Sequence, residues 1–325
     1  METFSLSVII ATKDRHLALK YVSLPSLVQT RRKQFVTVVW DASENTLAQQ
    51  VAEKFSSKLY LDFCKAPRVG LPSQRNDAVK YVLTTYPSVQ YVLFIDDDSR
   101  LSPDAIGGVV ATFEKYPDVW GVHIPLHDSN YPYDKIKVDH KGNYVLLSPA
   151  PTLKPYRFVT PYVVVGSLPP ESNDTSVEWA QGCGMAFRRA VFAELKMRFN
   201  EELQHFGGYA LAEDIFFSTQ LRRIYSKKLW SSVHGYLRHL ESPGGRVDEE
   251  KRVASELYNL RLLFDMLNEK VVLSTYLWRL LRFKIGRLAR WCAQCQIYSL
   301  TVCWRGFLRA RKAYGEYRKG GHLKN

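Results

Sequence analysis

The first 125 residues alternate apolar runs with amphipathic stretches, and the periods predict strands and helices in turn. Leu6–Ala11 is a β-rich run that ends in the polar turn Thr12-Lys13-Asp14-Arg15. A helical pattern follows over residues 17–30. Phe35–Trp40 reads as a second strand ending in Asp41-Ala42-Ser43, and Leu59–Phe63 as a third. Leu71–Tyr86 has helical spacing, with Pro87 just past its end. Tyr91–Ile95 is apolar with β-branched members, the signature of a buried strand. Ser102-Pro103-Asp104 predicts a helix start, with a capping hydroxyl and proline at the first position. That helix ends before Pro117, and Val119–Ile124 reads as another strand. Repeated strand–helix–strand units of this length predict an α/β fold with a mainly parallel sheet and right-handed crossovers. Its ligand edge would collect Thr12–Arg15, Asp41–Ser43 and Asp96–Asp98.

Beyond residue 125 the pattern changes. Residues 125–178 are rich in proline, tyrosine and polar groups, with strand signals near Tyr144–Leu147 and Tyr162–Val165. They read as a hairpin-bearing insertion. Trp179–Gly184 leads into regular structure through Met185–Phe192, and helical patterning resumes after Ala212. The chain divides into a body, residues 1–245, and a helical tail, residues 246–325.

Charge sharpens that division. The net charge is +13, but residues 271–325 hold twelve Lys or Arg against one acid, Glu316. Residues 271–325 therefore carry +11 and the first 270 residues only +2. A basic tail on a nearly neutral body differs from a basic-faced nucleic-acid domain, and no nucleic-acid partner is expected. Leu273, Tyr276, Leu277, Leu280, Leu281, Ile285 and Leu288 recur at helical spacing among these cations, and Ile297–Trp304 adds an apolar run. That pattern predicts helices lying in the interface of an anionic membrane. A helical cap on the body is the competing expectation.

The five cysteines, at 64, 183, 292, 295 and 303, are odd in number and mostly in the tail. A reducing compartment fits them better than a disulfide framework. Cys292 and Cys295 lack a second pair or nearby histidines, which argues against zinc. The N-terminus has no basic stretch before its apolar run, and no segment reaches the ~18 apolar residues of a membrane span. The expected location is the cytoplasm, at the inner membrane face.

The chemistry gathers at Asp96-Asp97-Asp98, delivered by the buried strand Tyr91–Ile95. Clustered like charges persist where a cation sits between them. Mn²⁺ or Mg²⁺ is the natural occupant, since hard cations take oxygen ligands and leave room for phosphate oxygens. An acidic turn opening the next helix would place the same residues in sequence, so the acids alone leave both readings open.

The order of the remaining segments resembles inverting glycosyltransferases of family 2, with the GT-A fold, over about residues 5–245. Ser7–Arg15 resembles the nucleotide-contacting strand and turn, and Asp41 the acid that meets the base or ribose. Gly70-Leu71-Pro72-Ser73-Gln74-Arg75-Asn76 resembles the Gly-to-Arg-Asn segment, and Asp96-x-Asp98 the DxD motif. Gly182-Cys183-Gly184 resembles the glycine-rich acceptor-side segment, preceded by Trp179. Glu213-Asp214 resembles the acidic pair opening a helix, and His239 a downstream histidine near metal or diphosphate. The first turn, Ala11-Thr12-Lys13-Asp14-Arg15, departs from the usual Pro-Thr-Tyr-Asn-Arg, and Gln220-Leu221-Arg222-Arg223-Ile224 lacks the tryptophan of processive synthases.

The resemblance implies a metal-dependent, non-processive transfer of a sugar from a nucleotide-sugar donor to a hydroxyl of a lipid-linked or cell-surface glycan. It implies donor contacts from Thr12, Asp14, Arg15, Asp41, Arg75, Asn76, Asp96 and Asp97, and metal ligation by Asp98, Asp96 and His239. Asp214 would be the general base with Glu213 second, and Trp179, Gly182, Cys183 and Gly184 would line the acceptor side. Two alternatives remain at this point. A nucleotidyltransferase would show a glycine-rich phosphate loop after the first strand, and Ala11–Leu17 contains no glycine. A non-catalytic nucleic-acid- or membrane-binding protein on the same scaffold would not need the acids.

Overall fold

Strands with no polar face form the centre of the sheet, because parallel strands covered on both sides by helices must be apolar on both. In the computed structural model, the described residues are 4–126, 136–138, 144–146, 158–159, 165–166, 175–207, 210–232, 234–240, 248–266 and 298–320. β1 (Leu6–Thr12) and β2 (Phe35–Asp41) are buried almost throughout, all seven residues in the case of β2. β3 (Leu61–Lys65), nearer the edge, is only half-buried. β4 (Tyr91–Asp96) buries five apolar residues and then releases a partly exposed carboxylate. The short β5 (Ser99–Leu101) follows, and then β6 (Val119–His123).

β7 (Ile136–Val138) pairs antiparallel with β8 (Tyr144–Leu146), and β9 (Phe158–Val159) with β10 (Val165–Gly166). Tyr162 and the rest of that strand expectation before Val165, with Leu147, lie outside the described residues. β11 (Thr175–Val177), β12 (Gly184–Arg188), β13 (Lys228–Ser231) and β14 (Leu237–His239) complete the strands. The eight-stranded sheet runs β3-β2-β1-β4-β12-β6-β13-β11. β3, β2, β1 and β4 are mutually parallel, whereas β12 is antiparallel to both neighbours.

Strand order reverses between β1 and β4, so the crevice at their carboxyl ends is the topological switch point where such sheets bind ligands. Register places Thr12 beside Asp41 and Ala11 beside Asp96 at that edge. One apolar layer packs Ile10, Val39, Leu93 and Ile106 on one face of the sheet. Ile9, Val38, Phe94, Phe187 and Phe217 pack on the other.

The helices are α1 (His16–Ala18), α2 (Leu24–Val28), α3 (Leu47–Phe55), α4 (Leu71–Thr85), α5 (Ala105–Lys115), α6 (Arg189–Ala193) and α7 (Glu213–Arg223). Between α1 and α2 the chain makes a π-helical turn, Leu19–Ser23. Two arginines fix helix ends to the sheet. Arg188 donates to the carbonyls of Phe113, Tyr116 and Val119, and Arg189 to those of Leu83 and Tyr86. Cations suit helix C-termini, where carbonyls lack intrahelical partners.

One expectation is corrected. The hydroxyl of Ser102 does not cap α5, which starts at Ala105 behind Asp104 with no side-chain cap. Ser102 Oγ accepts from Tyr236 N–H at 2.9 Å, and Ser102 N–H donates to the Tyr236 carbonyl. The cap is displaced because β14 pairs with β5 and needs that partner. The same loop demands glycine twice. A Cβ on Gly108 would collide with the His234 carbonyl, and one on Gly235 (φ +100°) would come within 2.5 Å of Ala105 Cα.

The chain splits into two compact units. The first is 1–200 with 214–245; the second is 201–213 with 246–325. In the second, α8 (Glu249–Met266) and α9 (Tyr298–Lys319) pack closely at Gly306, whose missing Cβ leaves room for the Glu250 carbonyl and Val253. Arg309 pairs with Glu250 at 2.5 Å. Asn259 ties α8 to the carbonyls of Leu203 and Leu211. The tail pattern Leu273–Leu288 and the pair Cys292 and Cys295 lie outside the described residues. No helix among the described residues is long and apolar enough to cross a membrane.

Candidate active site

β4 ends in Asp96, and the turn after it carries Asp97 and Asp98 before β5 leaves. The three acids diverge. Asp97 turns inward, 2% exposed, accepting from Thr12 Oγ1 at 2.6 Å and from Arg15 Nη1 at 2.9 Å. Burial pushes its carboxyl up to about 7, against the opposing pull of Arg15 and Thr12. Asp98 bridges two cations, Arg15 at 3.1 Å and His239 Nε2 at 2.9 Å. Asp96 stays about one-third exposed and meets His239 at 3.5 Å and Arg75 at 3.2 Å.

His239 comes to this point from far along the chain because β14 lies against β5, with His239 opposite Ser99. The next residue, Leu240, donates its N–H to the Asp98 carbonyl at 2.9 Å. Burial would lower the pKa of His239, but hydrogen bonds and charge from Asp96 and Asp98 outweigh it and raise it to about 10. One ligand atom from each of Asp96, Asp98 and His239 lies within 4.8 Å of the others.

That donor set fits a divalent ion. Two carboxylate oxygens and one imidazole nitrogen converge, and no other cluster of this kind occurs among the described residues. The carboxylate oxygens suit Mg²⁺ and Mn²⁺ alike. His239 would surrender its proton on becoming a ligand.

The first turn is bent to reach the acids. Asp14 has φ +56°, in the left-handed region that Asp tolerates better than most residues, and its N–H donates to Ser43 Oγ at 2.7 Å. Arg15 is thereby turned back over Asp97 and Asp98. Asp41 is fully buried. It accepts from Ser43 N–H at 3.0 Å, from the Ser43 hydroxyl, and from Lys65 Nζ at 3.3 Å. Asn76 spends its amide on Phe199, donating to the carbonyl at 2.9 Å and accepting from the N–H at 2.8 Å. Asp41, Asn76 and Asp97 are thus engaged by the protein itself, while Asp96 and Arg15 keep an exposed side.

Arg75 is the largest side chain that is almost wholly buried. It lies over the rings of Phe94 and Phe199, about 5.5 Å from each. Its Nη2 donates to Asp96 and, at 2.9 Å, to the Gly182 carbonyl. Gly182 N–H in turn donates to Asp214 Oδ2 at 2.8 Å. A continuous path therefore joins the metal-type acid Asp96 to Asp214 through Arg75 and the backbone of Gly182.

The segment 180–182 is held at every residue. Ser218 Oγ accepts from Ala180 N–H at 3.1 Å, and His123 Nδ1 from Gln181 N–H at 3.4 Å. Trp179 and Cys183 are buried, and Gly184 makes room for Leu237 of β14. Asp214 also accepts from Ile215 N–H at 2.8 Å, while Glu213 is 5% exposed at the start of α7. Just before this pair, Ala212 has φ +65°. A non-glycine residue in that region costs on the order of 1 kcal/mol, a strain that collects at functional sites.

Reading the sequence alone places Ser43 at the ligand edge without its partners, and gives Lys65, Gln74, His123 and Ser218 no role of their own. Gln74 had a visible signal. Ser73-Gln74-Arg75 are consecutive polar residues on a helix whose apolar positions recur later, and all three are buried. Gln74 Nε2 joins the carbonyls of Thr12 and Trp40, clamping the ends of β1 and β2.

The model of the family described as glycosyl transferase family 2 matches residues 7–196, more than half of the chain. The chain belongs to glycosyl transferase family 2. At the sequence level no curated protein matches it. Solved structures resemble it in fold. Staphylococcus aureus TarS 1-349 in complex with UDP-GlcNAc is 16% identical, with a TM-score of 0.54 over 98% of this chain and 92% of that one. GalNAc-T7 with UDP, GalNAc and Mn²⁺ is 13% identical, with a TM-score of 0.56 over 92% of this chain and 57% of that one. The mannosyltransferase PcManGT from Pyrobaculum calidifontis, in complex with GDP-Man and Mn²⁺, is 12% identical, with a TM-score of 0.53 and coverages of 96% and 86%. The chain spans 44% of a longer TarS chain. The chain shares the GT-A fold with these structures.

Proposed function

We propose that this glycosyltransferase transfers a sugar from a nucleoside diphosphate donor to an acceptor hydroxyl, with inversion, one sugar at a time, and with a divalent ion bound by Asp96, Asp98 and His239. The observation that carries the reading is the convergence of those three residues at the switch point of the sheet, linked through Arg75 and Gly182 to Asp214. The bound ion would supply positive charge to the leaving diphosphate. Arg15, one turn away, adds a second cation on the same side. Thr12 and Asp97 fix Arg15 in place. Asp214 accepts the acceptor hydroxyl proton as the new bond forms, and Glu213 is the second candidate. Attack opposite the leaving group gives inversion in one displacement.

The donor is read from binding. A panel of sugar nucleotides, each with and without Mn²⁺, is expected to raise the melting temperature for one donor and only with metal. Stabilisation grows with the logarithm of ligand over its dissociation constant, so the true donor stands apart. Equal shifts with and without metal would remove the ion from the reading. Nuclear magnetic resonance of the product anomer tests inversion separately.

The proposed acceptor is a lipid-linked or surface glycan, met at the cytoplasmic face of an anionic membrane. Support comes from α9. Its sequence holds six Lys or Arg against one acid, and Trp304 and Leu308, one turn apart, are about half exposed beside Arg305, Arg311 and Lys312. Val302, Gly306, Ala310 and Ala313 form its buried side. Replacing Trp304 and Leu308 together with serine is expected to weaken flotation with anionic liposomes by about tenfold or more, since apolar insertion is lost while charge is kept. High salt should release the wild-type protein only in part. Unchanged flotation of the double variant would take α9 out of the membrane reading.

A further inference from the structure

The two-stranded ribbon that delivers His239 has a second face. Along a strand successive side chains point to opposite sides. Ser99, Leu101 and Leu237 are buried on the inner side, where His239 meets Asp96 and Asp98. Arg100 and Arg238 occupy the outer side. They are partners in the ladder, directly opposite one another, and both are exposed. Side chains so placed start roughly 5 Å apart, and like charges in that position repel. Among the described residues neither guanidinium has a hydrogen-bond or ion-pair partner. Most other arginines close to the site do: Arg15 and Arg75 are both committed to carboxylates.

We propose that Arg100 and Arg238 form a clamp for a phosphate group carried by the acceptor. A pair of unpartnered forks held side by side suits a tetrahedral phosphate, which can accept a bidentate contact from each, whereas one arginine alone fills a carboxylate. The donor diphosphate is not the ligand, because the metal-type triad lies on the inner face and the clamp on the outer. The group held is a second phosphate, one strand thickness from the site of transfer. Tyr236 and Leu240, two residues either side of Arg238, are 40% and 48% exposed and give the clamp an apolar border. The combination fits an acceptor in which a phosphate adjoins apolar chain. This assignment rests on the proposed transfer site for its meaning, but binding at the clamp needs neither donor nor metal.

The test uses the full chain stripped of metal with a chelator. Three probes are titrated calorimetrically: inorganic phosphate, dodecyl phosphate in neutral detergent micelles, and phosphatidylglycerol vesicles. The variant is Arg238→Glu, which turns the repelling pair into an attracting one. Its melting temperature is expected to equal or exceed that of the wild type. Its affinity for dodecyl phosphate and inorganic phosphate should fall about 10- to 100-fold, the loss of a charged hydrogen-bonding partner. Arg238→Gln, with intermediate loss, covers the case in which the glutamate variant does not fold, and added Mn²⁺ reports that the inner face is intact. Undiminished phosphate binding in both variants overturns the proposal. So does binding confined to vesicles, which would make the pair part of a membrane surface. If the wild type binds phosphate in this way but shows no metal-dependent donor binding, the clamp stands and the proposed function fails.

Discussion

Asp214→Asn is expected to reduce turnover by about 100- to 10,000-fold while leaving metal-dependent donor binding close to that of the wild type. Loss of a general base has that magnitude, equivalent to about 3–5 kcal/mol in the barrier. The geometry explains why the carboxylate is well placed. One oxygen accepts from Gly182 N–H and the other from Ile215 N–H, so the side chain cannot rotate away. Asparagine has the same shape but only one accepting end. Its amide must meet one of the two N–H groups with another donor, and some loosening of the 180–182 segment is expected. Donor binding measured beside turnover separates the two effects. A parallel loss of both would mean that Asp214 serves the segment rather than the proton. Wild-type turnover in Asp214→Asn, with a large loss in Glu213→Gln, would transfer the base role to Glu213.

The apolar runs of β1, β2 and β4 made the sheet legible, since strands buried on both faces leave an unbroken signal in a single sequence. The edge strand β3 was placed two residues early, Leu59 for Leu61, because a half-buried strand carries a weaker pattern. The acids at the end of β4 were legible for the same reason as the strand. The three-residue strands β5 and β14 were not. Such short segments have no period to read, and their pairing joins positions more than 130 residues apart. That pairing is what brings His239 to Asp96 and Asp98, so a resemblance could name the histidine but spacing could not.

Side-chain commitments were the other blind spot. Nothing local marks Ser102 as a partner of Tyr236 instead of a helix cap, or Asp41 as held by Ser43 and Lys65. Both roles depend on elements from elsewhere in the chain. Gly108 and Gly235 look like ordinary helix and loop glycines until the loop 234–236 is seen lying against the start of α5.

Asp98→Asn is expected to abolish metal-dependent donor binding and transfer together, with Mn²⁺ affinity falling by more than about 100-fold. Removal of groups that merely orient metal ligands already costs 10- to 100-fold, and Asp98 is itself placed as a ligand. Asp98 is 2% exposed and lies between Arg15 and His239, so the substitution also leaves two cations sharing one fewer carboxylate. Asp97 still pairs with Arg15, and Asp96 still faces His239, which should keep the fold cooperative. Electron paramagnetic resonance of added Mn²⁺ gives the affinity directly, and thermal unfolding without metal reports the fold. The wild type should show nitrogen coupling from His239 in the bound-ion spectrum, and Asp98→Asn should lose the bound signal. An intact Mn²⁺ site in that variant would move the ion away from the end of β4. Loss of the fold without metal would instead make Asp98 a structural counter-charge to Arg15, because the only change common to both states is the missing negative charge.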